Sequence, residues 1–353
     1  MLLGVAHARA ALEQAWPPFV LVAGLLLLGQ LAGADGLFDA AASRLVRVPG
    51  GALSSLLACL ALVAGVTALL NLDTAAVFLT PVLLGVARRR RIDAAPFLYG
   101  AIFMANASSL FLPGSNLTNL LVLAGHGRSG RAFFTQMLPA ALAATLATAA
   151  GLVALHRRVL RVTPGPPSSE PPAPVRAGAG LLGVVVAAVL IVTLSNAALP
   201  VAGLAALLAG WRVLRRRLAA RPLLVSLGLP TLAALFALSV ALGIAARSGL
   251  VSLGWLQSAG APATAAVAAL ASVFVNNLPA AVLLSSTGHL QPQALLVGLD
   301  VGPNLAVTGS LAVLLWWRAA RAAGEIPSVR AYSRHGLLLA PLAGALALLA
   351  AHA

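Results

Sequence analysis

The chain has 353 residues, of which 60% are hydrophobic and 9% are charged, and its formal net charge is +15. Soluble domains carry roughly a quarter charged residues, so the composition excludes a soluble globular protein, and the single cysteine, Cys59, excludes a disulfide-stapled scaffold. The chain contains no lysine, and its arginines cluster between apolar segments. That distribution indicates membrane topology and predicts no nucleic-acid partner.

The first half of the chain, residues 1–155, contains apolar segments that are interrupted by polar residues. We predict a re-entrant helical hairpin over 51–88 with its tip at Asn71–Thr74. A following span over 94–125 is predicted to break at Pro113–Asn116, because proline, glycine and short capping side chains do not continue a helix.

The second half, residues 179–353, repeats this arrangement. It follows a linker at 156–178 that is rich in proline and arginine, and we expect this linker to be extended and cytoplasmic. A second hairpin is predicted over 250–287, and a second broken span over 293–317.

The interruptions of the two halves correspond to each other. A constant offset of 205 residues relates Asn71 to Asn276, and Gly114–Leu117 corresponds to Gly302–Leu305. Interrupted hydrophobic segments at matching places in two halves are typical of transporters. When the two hairpins are threaded in opposite directions, as an inverted repeat requires, nearly all arginines fall on the cytoplasmic side; the exceptions are Arg9, Arg128, Arg131 and Arg247.

The sequence therefore predicts an all-α polytopic membrane protein of the cytoplasmic membrane. Its fold class is an inverted-repeat secondary transporter with two re-entrant helical hairpins and two broken transmembrane helices. Trp316 and Trp317 precede Arg318 and are predicted to anchor that span at the membrane interface. We expect no enzymatic activity, no metal site and no cofactor, because the chain lacks a nucleophile elbow, paired cysteines and metal-ligand spacing.

Two of the eight acidic residues lie at breaks inside predicted membrane segments, one in each half. These are Asp73 and Asp300. An acid at membrane depth is unfavourable by about 3 kcal/mol on insertion scales and is a functional candidate by default. We predict that both take part in coupling transport to H⁺ or Na⁺. The structural alternatives are a helix N-cap for Asp73 and a purely structural break at Asp300, which lies between glycines.

Polar uncharged residues concentrate at the same breaks, where free backbone amides and carbonyls surround a central cavity. They are predicted to bind substrate or ion, or alternatively only to cap the broken helices. The predicted set is Asn71, Thr74, Ser115, Asn116, Asn119, Asn276, Asn277, Asn304, Thr308 and Ser310, with Asn106, Ser108, Ser109 and Thr118 nearby.

Four segments resemble the arsenite permease (ArsB) family of the wider ion transporter superfamily, which also includes citrate and dicarboxylate permeases. They are Leu69–Pro81, Gly114–Val122, Phe274–Leu284 and Leu299–Trp316. The resemblance implies an elevator-like secondary transporter that exports arsenite or antimonite in exchange for protons. It also implies that Asp73 is the coupling acid, and that Asn116, Asn276, Asn277 and Asn304 contact substrate or ion.

Several alternatives stay open at this point. The substrate could be a carboxylate, an inorganic anion or a metalloid, or the chain could be a cation/proton antiporter of the same superfamily. A different class is a pore subunit for an ATPase partner. Membrane lipid is an expected partner, and a homodimer is compatible with the sequence.

Overall fold

The computed structural model describes residues 2–123, 130–161, 178–194, 196–250, 254–286 and 291–352. Over these residues the regular elements are helices and no strand is found, so the prediction of an all-α fold is confirmed. Most of the predicted linker lies outside the described residues. In chain order the helices are α1 (Leu2–Ala34), α2 (Leu37–Leu45), α3 (Ala52–Leu69), α4 (Leu72–Arg89), α5 (Ala95–Ser108), α6 (Leu117–Leu123), α7 (Gly130–Leu155), α8 (Ala179–Thr193), α9 (Ala198–Leu214), α10 (Ala220–Ser226), α11 (Leu229–Arg247), α12 (Gly254–Ser258), α13 (Gly260–Val275), α14 (Asn277–Ser285), α15 (Pro292–Val301), α16 (Leu311–Ala322) and α17 (Val329–Ala351).

Five helical segments of the described chain are long and apolar enough to cross a membrane. Shorter apolar helices accompany them: α8, α9 and α13. The five segments are Gly4–Ala34, Ala52–Leu69, Gly130–Leu155, Ala220–Arg247 and Val329–Ala351.

The predicted helix pairs and broken spans appear as four interrupted units. Helices α3 and α4 meet at Leu70–Asn71, and α13 and α14 meet at Asn276. Helices α5 and α6 are separated by a 3₁₀ turn at Pro113–Ser115, and α15 and α16 by one at Gly302–Leu305. The re-entrant path of the two pairs through the bilayer stays a prediction.

The long helix α1 shows that α4 and α14 lead away from the centre in opposite directions. Towards the middle of α1, Gln14 donates to Ser285 at the end of α14. Further along, the Thr74 methyl lies 2.8 Å from the position that a Cβ on Gly29 would occupy, so α1 packs there against the first turn of α4. At about 1.5 Å per residue, Gln14 and Gly29 are roughly 20 Å apart along α1.

The far end of α4 lies at an arginine-rich end of the molecule. The Arg90 guanidinium donates to Val48 O (2.6 Å) and Gly50 O (2.7 Å), which ties the open ends of α3 and α4 together. Arg88 forms an ion pair with Glu325 (3.1 Å) just beyond α16. The end of α14 next to Gln14 is the opposite, arginine-poor end.

Trp316 corrects the prediction of an interfacial anchor. Its side chain is fully buried, and its indole N–H donates to Leu98 O (2.9 Å) in α5. A donor that finds a partner inside the protein has no need of the membrane interface. The apolar body of Trp316 instead joins the core between α5, α16 and α17, next to Tyr332.

A histidine pair, with His156 buried and His335 half-buried, joins α7 to α17 at the arginine-rich end. His156 follows the last residue of α7, and its Nε2 lies 3.1 Å from His335 Nε2. His335 Nδ1 donates to Ala331 O (2.5 Å), so its Nε2 accepts and His156 donates. Burial, together with the neighbouring His335, lowers the pKa of His156 to about 4, although Asp93 opposes this.

The histidine pair predicts a pH dependence of stability. Because the pKa of His156 is depressed in the folded protein, the unfolded chain takes up the proton first as pH falls. Stability is therefore full above pH 6.5 and is lost between pH 6.5 and 4. We expect the melting temperature of the detergent-solubilised protein to fall less steeply over this window in His156→Gln. Parallel pH curves for the two proteins would contradict this assignment.

Candidate functional site

The interruptions of both halves meet at one narrow cleft. Asp73 and Asn116 come from the first half, and Asn277 and Ser310 come from the second. The residues that line it are buried, and the gap between them is too narrow to admit a water molecule, so the cleft is closed in this structure. Its lining is Leu72, Asp73, Asn116, Leu117, Asn277, Leu278, Ser310, Leu311 and Ala312.

Helices α4, α6, α14 and α16 all begin at this cleft, and a short polar side chain precedes each of them and caps it. Four of the predicted residues therefore cap a helix, since a side-chain oxygen accepts from an otherwise free backbone amide; whether they also bind substrate or ion stays a prediction. The caps are Asn71 Oδ1 with Thr74 N (2.7 Å), Asn116 Oδ1 with Thr118 N (3.2 Å), Asn276 Oδ1 with Leu278 N (3.3 Å), and Ser310 Oγ with Val313 N (3.3 Å).

Asp73 is a buried acid without a counter-charge. It is the second residue of α4 and is 3% exposed. Asn71, and not Asp73, is the N-cap, so the structural alternative for Asp73 does not hold. Within the described residues, no hydrogen bond or ion pair involves the Asp73 carboxylate. The position at a helix N-terminus favours a negative charge, and the side chain faces the cleft.

Asp300 lies in the last turn of α15 and reaches across into the first half. Its Oδ1 accepts from Asn116 Nδ2 (2.9 Å) and Thr118 Oγ1 (2.5 Å). Its Oδ2 lies 2.9 Å from Ser109 Oγ. Asp300 and Ser109 are fully buried. The two predicted coupling acids therefore flank the same asparagine, Asn116, from opposite halves of the chain.

The hydrogen bonds around Asp300 are consistent with a protonated carboxyl group. Ser109 Oγ has one proton, but it lies within hydrogen-bond distance of two acceptors, Asn106 O (2.8 Å) and Asp300 Oδ2 (2.9 Å). Both contacts are satisfied when Asp300 carries a proton on Oδ2 and donates it to Ser109. This arrangement makes the Asp300 carboxyl a place where a proton can be held.

The remaining predicted residues of the first half connect the loops around the cleft. Ser115 Oγ donates to Ala68 O (3.0 Å) and so joins the break after α5 to the end of α3. Asn119 Nδ2 donates to Ser109 O (2.8 Å) and Leu112 O (3.1 Å), which closes the same break. Ser115 and Asn119 thus fix the backbone of the break next to the cleft.

The second half shows a similar division. Asn304 Oδ1 accepts from Asn106 Nδ2 (2.8 Å), which links the two broken spans in the core. Asn276 has a positive φ of 74° and donates from Nδ2 to Thr308 O (3.3 Å). Thr308 is exposed, and its hydroxyl donates to Val273 O (2.8 Å). Asn276 and Thr308 thus brace the tip of the second helix pair outside the cleft.

Several buried polar atoms at the two tips have no hydrogen-bond partner. They include Asn71 Nδ2, Thr74 Oγ1 and Asn277 Oδ1, together with Thr67 Oγ1 at the end of α3. A buried polar group without a partner is unfavourable by about 1–3 kcal/mol. Of these four residues Asn277 lines the cleft, so its amide oxygen is available to a ligand there.

Three residues that the sequence places beside the predicted set belong to the site. Ser109 and Thr118 hold Asp300, and Asn106 holds Asn304. Their position next to the breaks, as polar side chains within an apolar span, is the signal that singled them out. Their partners in the other half of the chain could not be read from the sequence.

Gly336 on α17 fixes the position of Asn304. A Cβ at Gly336 would lie 1.8 Å from Asn304 O, whereas a Cβ at Gly344 on the same helix would meet nothing within 4 Å. Overpacking of this kind costs up to about 3 kcal/mol. We expect Gly336→Ala to lower the melting temperature and to abolish transport, and Gly344→Ala to leave both unchanged. If the two variants have the same melting temperature and transport activity, the loop at Asn304 can move to accommodate the added methyl group.

Comparisons with known proteins agree with this architecture. The model of the citrate transporter family (CitMHS) matches residues 1–349. Among solved structures, the chain is similar to the YdaH transporter of Alcanivorax borkumensis, with a TM-score of 0.57 and 14% sequence identity over 98% of this chain and 86% of that one. No curated protein sequence matches the chain.

Proposed function

The chain belongs to the citrate transporter family, and we propose that it is a secondary active transporter that moves a small carboxylate through the cleft between its two halves. The family membership makes it a multi-pass membrane transporter of the ion transporter superfamily, as the sequence predicts. The substrate, the coupling ion and the cytoplasmic membrane as its location are parts of the proposal.

The single observation that supports an anionic substrate is the convergence of helix N-termini. The first residues of α4, α14 and α16 line the cleft, as do those of the shorter α6. Each helix directs the positive end of its dipole and free backbone amides towards this space. Broken helices that point their N-termini at a substrate carboxylate are a recurrent arrangement in transporters.

The acids of the site support cation coupling. A carboxylate substrate next to Asp73 and Asp300 requires positive charge to offset the repulsion, and no basic side chain lines the described cleft. A proton or a sodium ion bound with the substrate supplies that charge. We propose that Asp73 and Asp300 bind H⁺ or Na⁺ in the loaded state and release it on the other side of the membrane.

A second candidate is the export of arsenite or antimonite in exchange for protons. The cleft offers neutral amide and hydroxyl groups from Asn116, Asn277 and Ser310 without a fixed cation. Such a lining suits arsenous acid, which is uncharged near neutral pH. This candidate differs from the first in the charge of the transported species.

Transport in proteoliposomes separates these possibilities. We expect radiolabelled citrate or a dicarboxylate to accumulate under an imposed proton or sodium gradient and to exchange with unlabelled substrate without one. Arsenite accumulation in everted vesicles, with no carboxylate exchange, would favour the second candidate. Transport that survives collapse of both gradients and needs ATP would point to a pore subunit with an ATPase partner.

A further inference from the structure

A polar cluster at the arginine-poor end of the molecule is centred on Gln14 of α1. The Gln14 amide donates from Nε2 to Ser285 Oγ (2.8 Å) on α14 and to Leu121 O (3.2 Å) on α6. Its Oε1 accepts from Arg247 Nη2 (2.5 Å) at the end of α11 and from Ser286 Oγ (3.2 Å). One side chain therefore connects four helices.

Two of these helices lead from the cleft to this end of the molecule. Helix α6 begins at Leu117 and α14 at Asn277, and residues of both first turns line the cleft. Helices α1 and α11 belong to neither of the interrupted pairs. The Gln14 cluster thus connects α6 and α14, one from each half, to α1 and α11, which lie outside the four interrupted units.

The chemistry of the cluster permits it to open. Arg247 pairs with an amide oxygen of Gln14 and with Gly243 O (3.0 Å), and no ion pair involves it among the described residues. Arg212, by contrast, pairs with the buried carboxylate of Asp35 between α9 and the end of α1. Separating Arg247 from a neutral amide leaves no buried carboxylate without its partner, so this contact is the easier one to break.

The structure also provides space for movement. A cavity of about 280 Å³ lies beside α6 and is lined by Leu120 and Leu123 of α6 and Pro113 of the break before it. Its other walls include Glu13 of α1 and Ile191 of α8. A helix shifts more readily into an adjacent void than against close-packed neighbours, and this void lies on the side of α6 that faces α8 and α9.

We propose that the Gln14 cluster is a latch that keeps the cleft closed towards the arginine-poor side. The latch opens when α6 moves into the adjacent cavity and separates from α14. This inference rests on the proposed transport function for its purpose. Gln14 acts by positioning α6 and α14, and it does not itself contact the cleft in this structure.

The latch is tested by accessibility of the cleft, which requires no substrate. In a Cys59→Ser background, which removes the only cysteine, Leu117→Cys places a thiol at the cleft, and Leu278→Cys is a second reporter. A membrane-impermeant methanethiosulfonate is applied to sealed vesicles of either orientation. We expect Gln14→Leu to raise the labelling rate from the arginine-poor side by about tenfold, the scale of one lost hydrogen bond to a charged group, with no change from the other side.

Matched variants make the result specific. Arg247→Leu removes one of the four contacts of Gln14 and should give a smaller increase. The double variant should give no more than Gln14→Leu alone, because Gln14→Leu already breaks the contact with Arg247. Ser248→Ala, next to Arg247 but exposed and hydrogen-bonded to Ala245 O of its own helix (3.0 Å), should label like the parent. If Gln14→Leu does not reach the membrane, Ser285→Ala removes one acceptor of the latch and should show a smaller increase.

Labelling that is unchanged in Gln14→Leu, or raised equally by Ser248→Ala, would overturn the latch. The two proposals fail separately. Raised labelling without any carboxylate transport would leave the latch intact and remove the proposed substrate. Carboxylate transport with unchanged labelling would support the proposed substrate and overturn the latch.

Discussion

Asp73→Asn is expected to retain substrate exchange and to lose cation-driven accumulation. The amide has nearly the volume of the carboxylate, so the cleft and the Asn71 cap on α4 stay in place. It cannot take up a proton or balance a bound cation at this position. We expect the accumulation ratio in proteoliposomes to fall by at least about tenfold, equivalent to about 1.4 kcal/mol, while counterflow without a gradient continues.

The control for this variant is another acid of the first half. Asp93 lies in the exposed segment between α4 and α5, where its carboxylate accepts from Ala95 N (2.7 Å). Asp93→Asn should accumulate substrate like the parent. If Asp73→Asn accumulates substrate with an unchanged pH dependence, Asp73 has no part in coupling.

The sequence predicts the interruptions well because helix breaking depends on local chemistry. Asn71, Asn276 and Gly302 lie within two residues of the ends of α3, α13 and α15, and their backbone preferences act within a few residues. The breaks in the two broken spans are longer than their proline and glycine residues indicate: the first begins after Ser108, and the second continues to Ser310, the N-cap of α16. The capping signal of a single serine is weak in an apolar sequence.

The contacts of the site could not be predicted in the same way. Asp300 is 182 residues from Thr118, and its donors come from the other half of the chain. Periodicity and composition do not specify which polar residue of one half faces which residue of the other. Similarly, Thr308 was grouped with the site by its nearness in sequence, but the structure leaves it exposed beside Asn276.

Trp316 shows a related limit. An aromatic residue before an arginine fits a membrane interface as well as it fits a buried position at the end of a helix. The choice depends on whether a carbonyl acceptor is available, and Leu98 O on α5 supplies it. The packing of α16 against α5 decides between an interfacial and a buried position for Trp316.

Replacement by asparagine is expected to affect the stability of the protein very differently at the two buried aspartates Asp300 and Asp35. Asp300→Asn should fold with nearly unchanged stability, because an amide can accept from Asn116 and Thr118 and donate to Ser109, as a protonated carboxyl would. Asp35→Asn should be destabilised by about 3–5 kcal/mol, because it leaves the buried guanidinium of Arg212 without its carboxylate.

A third variant tests whether the site around Asp300 needs a hydrogen-bond acceptor or only a side chain of similar volume. Asp300→Leu leaves the Thr118 hydroxyl without this buried acceptor and leaves Asn116 Nδ2 with only its longer contact to Ser109 Oγ (3.3 Å). An unpaired buried group costs about 1–3 kcal/mol. Melting temperatures of detergent-solubilised protein should therefore rank Asp300→Asn close to the parent and well above Asp300→Leu and Asp35→Asn. A loss in Asp300→Asn as large as that in Asp35→Asn would mean that Asp300 is held as a carboxylate, and the proton would then have to be carried elsewhere, at Asp73.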